Sequence, residues 1–230
     1  MNYEKLAVDA VADAIAITDY LDPYVTENDK GPSWDGKFTV YSKPGNQHKK
    51  SDWLGEVPVQ VKSVQKTDMS QDEIKYPVEI SDLKNYLRIG GTMYFVVYIT
   101  PMALKKIYYC SFLPFDLQKI LKQSGKQKTK SLPFRPFPTS KNDIIVDCLR
   151  DMEKQSLLKN KDYGMDDAVK EFDISKLHYS MTFSGIGFTK ANIPEQLLNR
   201  DVYFYAQSDS GSITFPVKHM TAAKIIVEEL

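Results

Sequence analysis

The chain has 230 residues, a formal net charge of zero, 42% hydrophobic residues and 26% charged residues. This composition is typical of a folded globular protein and argues against an intrinsically disordered one. Because the charges balance, any contact with nucleic acid must come from a local basic patch. No apolar stretch reaches the roughly 20 residues that a transmembrane helix needs, and Cys110 and Cys148 lie far apart in apolar segments. We therefore expect free thiols, no membrane partner and a cytoplasmic location.

The N-terminal half predicts helices alternating with strands. Residues 3–17 place apolar side chains at helical spacing, and a break at Asp22-Pro23 precedes a short strand over 24–26. Further strands are predicted over 37–41, 57–64, 93–99 and 107–112. A hairpin loop is predicted over 42–52 and a polar connection over 65–75. Helices are predicted over 80–87 and 117–121, and Asp116 is expected to cap the second. The order αβββαββα predicts an α/β protein with a mixed sheet flanked by helices.

The rest of the chain differs in composition. Residues 125–141 contain three prolines and no acidic residue, which predicts a basic Pro-rich linker after a core over 1–124. Residues 142–230 predict a smaller α+β region of unassigned role, with an amphipathic helix over 144–152 and a hairpin around Ser208–Gly211. An apolar helical pattern from 222 to 227 has no C-cap, and this favours a chain that is a piece of a longer protein.

The pattern with the most chemical content joins a turn to a strand. Asp35 lies in a turn, and the following apolar strand carries Gln60 and Lys62. Side chains alternate along a strand, so Gln60 and Lys62 share one face while Val59 and Val61 point into the core. An acid, an amide oxygen and an amine at a strand edge are groups that hold a hard cation and a water.

A tripeptide of an acid or amide, any residue and Lys is weak evidence alone. The chain has four, Gln47-His48-Lys49, Gln60-Val61-Lys62, Glu73-Ile74-Lys75 and Asp82-Leu83-Lys84. The first lies in a polar loop, the third in a charged connection and the fourth on a helix that we expect to face solvent. Only Gln60-Val61-Lys62 lies on an apolar strand that pairs with the strand after a turn aspartate.

Five segments taken in order resemble a known superfamily. They are the acidic first helix, the turn Gly31–Gly36, the strand Val57–Ser63, the helix Leu83–Tyr86 with Gly90-Gly91, and the strand Tyr94–Tyr98. This order resembles the PD-(D/E)XK superfamily of restriction-endonuclease-like nucleases, in particular a defence-associated prokaryotic branch with an Asp…Gln-x-Lys motif. The resemblance covers roughly residues 3–122. It implies a restriction-endonuclease-like core and a metal-dependent endonuclease that hydrolyses DNA, in defence against foreign DNA.

The resemblance also implies a role for each site residue. Asp35, Gln60 and the main-chain carbonyl of Val61 would hold Mg²⁺ or Mn²⁺. Lys62 would position the attacking water or stabilise charge on the phosphate. Gln60 stands where many relatives have Glu, so the site lacks one negative charge. An acid of the first helix is expected to help, with Glu4 the first choice and Asp9 and Asp13 as alternatives.

Two groups of lysines are candidates for contact with nucleic acid. We expect the hairpin-loop lysines to lie near the site, and the later group to follow a phosphate backbone, although a solvated linker explains the later group as well. The groups are Lys43, Lys49, Lys50 and Lys126, Lys128, Lys130.

Other classes of function remain open at this point. His48, His178 and His219 are isolated, so a zinc site is not expected. The alternatives to a nuclease are a catalytically inactive nucleic-acid-binding module of the same fold and a protein-interaction scaffold. Assembly of the chain into a homo-oligomer is also left open.

Overall fold

The computed structural model describes residues 1–27, 32–45, 47–138, 149, 152–153, 178–181, 201–207 and 214–221. Two compact units divide the chain, residues 1–157 and residues 158–230. The first unit carries all three helices and seven of the strands that the structure describes. Its elements are α1 (Tyr3–Ala16), β1 (Leu21–Val25), β2 (Gly36–Tyr41), a 3₁₀ turn (Lys50–Asp52), β3 (Trp53–Gln65), β4 (Ile74–Glu79), α2 (Ile80–Ile89), β5 (Thr92–Ile99), β6 (Lys105–Phe112), α3 (Pro114–Ser124) and β7 (Thr129–Pro136).

The described part of the second unit is a small antiparallel sheet. Its strands are β8 (His178–Met181), β9 (Asp201–Gln207) and β10 (Thr214–Thr221), in the order β10-β9-β8. Strands β9 and β10 pair across the predicted hairpin, whose turn over 208–211 lies outside the described residues. The apolar pattern over 222–227 also lies outside them. Of the amphipathic helix predicted over 144–152, the described residues are Leu149 and Met152, and both are buried.

The sheet of the first unit is mixed and has helices on both faces. Its strand order is β1-β2-β3-β5-β6-β7-β4, and β3 and β5 are parallel while the other neighbours are antiparallel. Every residue of β5 is buried, as expected for a central strand that is covered on both sides. Helix α1 packs on β3 and β5, and α2 and α3 share a core with the even-numbered residues of β5 on the other face. The predicted α/β class with a mixed, helix-flanked sheet is confirmed.

An aromatic cluster joins α2 to the centre of this sheet. The ring of Tyr94 in β5 lies 5.5 Å from Phe134 and 5.8 Å from Phe112, both edge to face. Tyr86 of α2 stacks on Phe112 at 6.1 Å. Buried aromatic pairs of this kind add about 0.5–1.5 kcal/mol each beyond their hydrophobic burial. The cluster therefore fixes α2 against β5 beside Gln60, which is in register with Tyr94.

The predicted linker is wrong, and the predicted polar connection ends two residues too late. The polar connection over 65–75 contains the start of β4, and the linker over 125–141 contains β7. These strands pair from Ile74↔Phe134 to Glu79↔Thr129, and Leu132 and Phe134 are buried. Strand β7 pairs with β6 only at Arg135 and Pro136, so among the described residues Pro133 has a partner strand on one side alone, where proline is tolerated.

The start of α3 also differs from the prediction. Asp116 lies within the first turn and is not the cap, because the helix begins after Leu113 with Pro114 at its first position. Proline suits this position, since its missing N–H would have no partner inside the helix. The negative charge of Asp116 still favours the helix N-terminus.

We expect Gly36→Ala to destabilise the protein far more than Gly45→Ala. Both glycines have nearly the same backbone angle, φ +152° and +154°, which costs a non-glycine residue about 1–3 kcal/mol. A Cβ at Gly36 would lie 2.0 Å from the carbonyl oxygen of Tyr24, whereas at Gly45 the nearest atom is 3.9 Å away. Urea denaturation should show an extra loss of at least about 2 kcal/mol for Gly36→Ala. Equal losses would contradict the close approach of β1 to Gly36.

Candidate functional site

The turn before β2 is held by backbone hydrogen bonds to both of its neighbouring strands. The Asp35 N–H donates to the Val59 carbonyl at 2.9 Å, and the Asp35 carbonyl accepts from the Thr26 N–H at 3.0 Å. Strand pairing then begins with Gly36 opposite Val59. The backbone of Asp35 is therefore held from two sides at the start of β2.

The Asp35 carboxylate meets β3 just beyond the start of β2. Its Oδ2 accepts hydrogen bonds from the Val61 N–H at 2.8 Å and from Gln60 Nε2 at 2.5 Å. Gln60 Nε2 also donates to the Val61 carbonyl at 3.3 Å. The structure therefore brings together the three groups that were predicted to hold a metal ion, namely the Asp35 carboxylate, the Gln60 amide and the Val61 carbonyl.

The two faces of β3 differ as the alternation predicted. Val59 and Val61 are buried in the core. Gln60 and Lys62 share the opposite face by alternation, and Gln60 is only 3% exposed while Lys62 is exposed. This arrangement places an exposed, charged amine beside a site whose amide is buried.

Helix α2 clasps the same turn through residues that sequence reasoning missed. Ser33 Oγ donates to Asp82 Oδ1 at 2.7 Å and accepts from Asn85 Nδ2 at 2.8 Å. We expected Asp82 on a solvent-facing helix, and this is wrong because the first turn of α2 packs against the turn before β2 and leaves Asp82 half-buried. A signal was present in the sequence, since Asp82, Asn85 and Tyr86 share one helix face.

The electrostatics place Asp35 and Asp82 near the same buried rings. Burial raises the pKa of Tyr86 well above its usual value, and the charges of Asp82 and Asp35 raise it further. The pKa of Tyr94 is raised by burial in the same way, with smaller contributions from neighbours that include Asp82 and Asp35. Both carboxylates therefore act on the aromatic cluster under α2.

Glu4 lies at the same end of the sheet as Asp35. Asn2, which caps α1, donates to Glu27 at 3.0 Å, and Glu27 follows Thr26, the partner of the Asp35 carbonyl. Glu4 is in the first turn of α1 and is exposed. The two alternatives lie further along α1, where Asp9 pairs with Lys5 and Asp13 is exposed.

Among the described residues, no three His, Cys, Asp or Glu side chains lie close enough together to hold a metal ion. Amide and main-chain carbonyl oxygens can also ligate a hard cation. Asp35, Gln60 and Val61 form such a mixed set of carboxylate, amide and carbonyl.

The hairpin lysines lie at the far end of the β2–β3 pair. Pairing runs from Gly36↔Val59 beside Asp35 to Tyr41↔Trp53 beside the loop. Six residues of strand span about 20 Å, so the expectation that Lys43, Lys49 and Lys50 lie near the site is wrong. An antiparallel hairpin separates its loop from its open end, and Asp35 stands at the open end. Lys43 also pairs with Asp52 at 3.6 Å.

The second group of lysines lies beside the first turn of α2. The Ile80 N–H donates to the Lys128 carbonyl at 2.9 Å, and Lys130 pairs with Val78. Because Asp82 belongs to the same helical turn, this backbone contact places residues 126–130 next to the clasp of Ser33. The backbone of Lys128 thus lies beside Ile80 at the start of α2, two residues before Asp82, with Lys126 and Lys130 close to it in sequence.

Comparison with known protein families, with curated proteins and with solved structures found no match for this chain. None of the described helices is long and apolar enough to cross a membrane. The chemistry of the site is therefore the basis on which a function can be assigned.

We expect Gln60→Glu to destabilise the metal-free protein at neutral pH by about 2–3 kcal/mol, because it buries a second carboxylate against Asp35. Burial and the like charge raise the pKa of the introduced carboxyl above its unfolded value. The variant then matches wild type below about pH 4 and loses stability as the pH rises through the raised pKa. Urea denaturation in a chelator at pH 4 and pH 7 measures this difference.

The matched control is Gln65→Glu, which adds the same charge at an exposed position of β3. We expect it to leave stability unchanged at both pH values. If Gln60→Glu is as stable as wild type at pH 7 in chelator, the two side chains do not share a site.

Proposed function

We propose that the chain is a metal-dependent endonuclease that hydrolyses phosphodiester bonds of DNA in the cytoplasm, in defence against foreign DNA. The observation that carries the proposal is the contact of the Asp35 carboxylate with the Gln60 amide and the Val61 N–H, with Lys62 on the same face of β3. The resemblance of the Asp…Gln-x-Lys order to PD-(D/E)XK nucleases supports it. A mixed sheet flanked by helices is compatible with a restriction-endonuclease-like core.

The donor set suits Mg²⁺ or Mn²⁺. Both are hard cations that prefer oxygen, and Mg²⁺ keeps several of its waters. As placed, Gln60 turns its NH₂ group toward Asp35. Rotation of the amide by a half turn exchanges its nitrogen and oxygen without moving β3. A cation beside Asp35 would favour the rotated form, in which the Gln60 oxygen joins the Asp35 carboxylate and the Val61 carbonyl.

Asp35 and Lys62 have different roles in the proposed hydrolysis. When bound, Mg²⁺ polarises a phosphoryl oxygen and lowers the pKa of a bound water. Asp35, fixed by β1 and β3, orients the reacting groups. Lys62 holds a positive charge where negative charge accumulates as the water oxygen attacks phosphorus and the leaving oxygen departs. Lys62 can also donate a hydrogen bond that orients the attacking water.

An inactive nucleic-acid-binding module of the same fold is the second candidate. The observation that favours it is the neutral amide at Gln60, which leaves Asp35 as the one carboxylate contacting the Gln60 amide and the Val61 N–H in the described part of the chain. A lower charge weakens cation binding and therefore catalysis. The second candidate predicts DNA binding without cleavage.

We expect purified protein to cleave plasmid DNA in Mg²⁺ or Mn²⁺ and to lose activity in chelator. Asp35→Ala removes the carboxylate, and Lys62→Ala removes the charge that stabilises the transition state, so each should slow cleavage at least about 100-fold. The matched control is Lys66→Ala, an exposed lysine just past β3, which should cleave at the wild-type rate. Gel assays of nicked and linear product measure the rates.

The same experiment separates the candidates. Cleavage by Asp35→Ala at the wild-type rate would show a contaminant or another site and would contradict the proposal. Binding of DNA by all variants with no cleavage by wild type would favour the inactive module. A protein that neither binds nor cleaves DNA would leave the interaction scaffold.

We expect the lysines beside α2 to contribute more to DNA affinity than those of the hairpin loop. In an Asp35→Ala background, alanine at Lys126, Lys128 and Lys130 should weaken binding about 10-fold or more at 0.1 M salt, because three phosphate contacts are lost. The salt slope of log Kd should fall by about 2–3. Alanine at Lys43, Lys49 and Lys50 is the matched triple variant and should have a smaller effect. Fluorescence anisotropy measures both, and equal effects would contradict the expectation.

A further inference from the structure

We infer that Asp82 supplies the second negative charge of the Asp35 site and acts as a positioning residue for Asp35 through Ser33. This inference rests on the proposed function, since it concerns the cation that the site would bind. It assigns to α2 the role that the sequence assigned to Glu4 of α1. The missing charge at Gln60 is then compensated from the same face of the sheet as Gln60 itself.

The hydrogen bonds of Ser33 carry the geometric part of the inference. Ser33 has a left-handed backbone, φ +76°, which is unusual for a residue other than glycine. It is held there by donation to Asp82 and by the hydrogen bond from Asn85. Asp35 follows two residues later. The first turn of α2 therefore holds the backbone at Ser33, two residues before Asp35, whose carboxylate contacts β3.

The position of α2 carries the electrostatic part. Gln60 is in register with Tyr94 of β5, and Tyr94 belongs to the core shared with α2. The pKa of Tyr94 and that of Tyr86 respond to both Asp82 and Asp35. By contrast, α1 packs over the other face of the sheet. Asp82 is therefore on the Gln60 side of the sheet, and α1, which carries Glu4, is on the other.

The hydroxyl of Tyr86 is a second and independent observation. It is fully buried and, among the described residues, has no hydrogen-bond partner. Tyr86 follows Asp82 by four residues, so the two side chains share one face of α2. A buried hydroxyl without a partner costs about 1–3 kcal/mol. Burial raises its pKa, and the charges of Asp82 and Asp35 raise it further, so the Tyr86 hydroxyl keeps its proton as a buried donor whose charge environment includes both carboxylates.

A purely structural role for Asp82 makes a different prediction. An acid in the first turn stabilises a helix through the helix dipole, and its hydrogen bond to Ser33 would anchor the turn. In that case the charge of Asp82 would have no influence on cation binding at Asp35. Asp82→Asn keeps an oxygen that accepts from Ser33 and removes the charge, whereas Ser33→Ala keeps the charge and removes the hydrogen bond.

Trp34, between Ser33 and Asp35, reports the turn directly. The chain has two tryptophans, and the other, Trp53, is 55% exposed and suits replacement by Phe. In a Trp53→Phe background, the emission of Trp34 should shift to the red in Ser33→Ala and stay unchanged in Asp82→Asn. Free Mn²⁺, counted by electron paramagnetic resonance during titration, gives the cation affinity without any need for activity.

We expect Asp82→Asn to raise the Kd for Mn²⁺ about 10-fold, a size common for residues that support a metal ligand. Asp35→Asn should raise it further. The matched control is Asp116→Asn, which removes a first-turn acid from the neighbouring helix α3 and should bind Mn²⁺ like wild type.

Two results would overturn the inference about Asp82 and leave the proposed metal site standing. One is wild-type Mn²⁺ affinity in Asp82→Asn while Asp35→Asn loses it. The other is a loss of affinity in Glu4→Gln that Asp82→Asn does not show. If wild type binds no Mn²⁺ or Asp35→Asn binds it unchanged, the proposed metal site fails, and the inference fails with it.

Discussion

The site depends on one oxygen atom, Asp35 Oδ2, which accepts from the backbone of Val61 and from the side chain of Gln60. This contact exists because β2 begins late, at Gly36, while β3 continues six residues past Val59. Beyond that point, no strand in the described part of the chain pairs with β3 on the side of β2. At Val61 the Asp35 carboxylate accepts the hydrogen bond that a neighbouring strand would otherwise accept. The carboxylate is thus both the end of the hairpin ladder and the centre of the site.

The two faces of the sheet contribute unequally to this arrangement. The α2 face holds the aromatic cluster, the clasp of Ser33 and the basic segment over 126–130. The α1 face is mainly apolar, with Ala7, Val8, Val11 and Ile15 buried. The segment that we expected to be a linker belongs to the α2 face. It contains β7, which pairs with β4, and its lysines lie near the start of α2. Strand pairing thus brings the basic segment beside the Ser33 clasp.

Much of this could be predicted from the sequence, and the limits have physical causes. Helix α1, strands β2, β3, β5 and β6, and the grouping of Asp35 with Gln60 follow from periodicity and turn residues. Strands β4 and β7 were missed because their hydrophobic residues alternate with prolines and lysines, and their pairing is long-range. Asp82 was misassigned because amphipathic spacing shows which residues share a helix face but does not show which loop covers it. The hairpin lysines were misplaced because nearness in sequence was taken for nearness in space.

The Gln60 amide has a consequence for the proposed metal site. One NH₂ group donates to both the Asp35 carboxylate and the Val61 carbonyl, so these polar groups are paired without a metal ion. Small domains that need a structural metal unfold in chelators, whereas this one has no such need at Asp35. If Asp35 belongs to a metal site as proposed, its few charges would make cation binding weak, and occupancy would follow the free cation concentration. Under that proposal the protein would stay folded but inactive where divalent cations are scarce, and its activity would rise gradually as they become abundant.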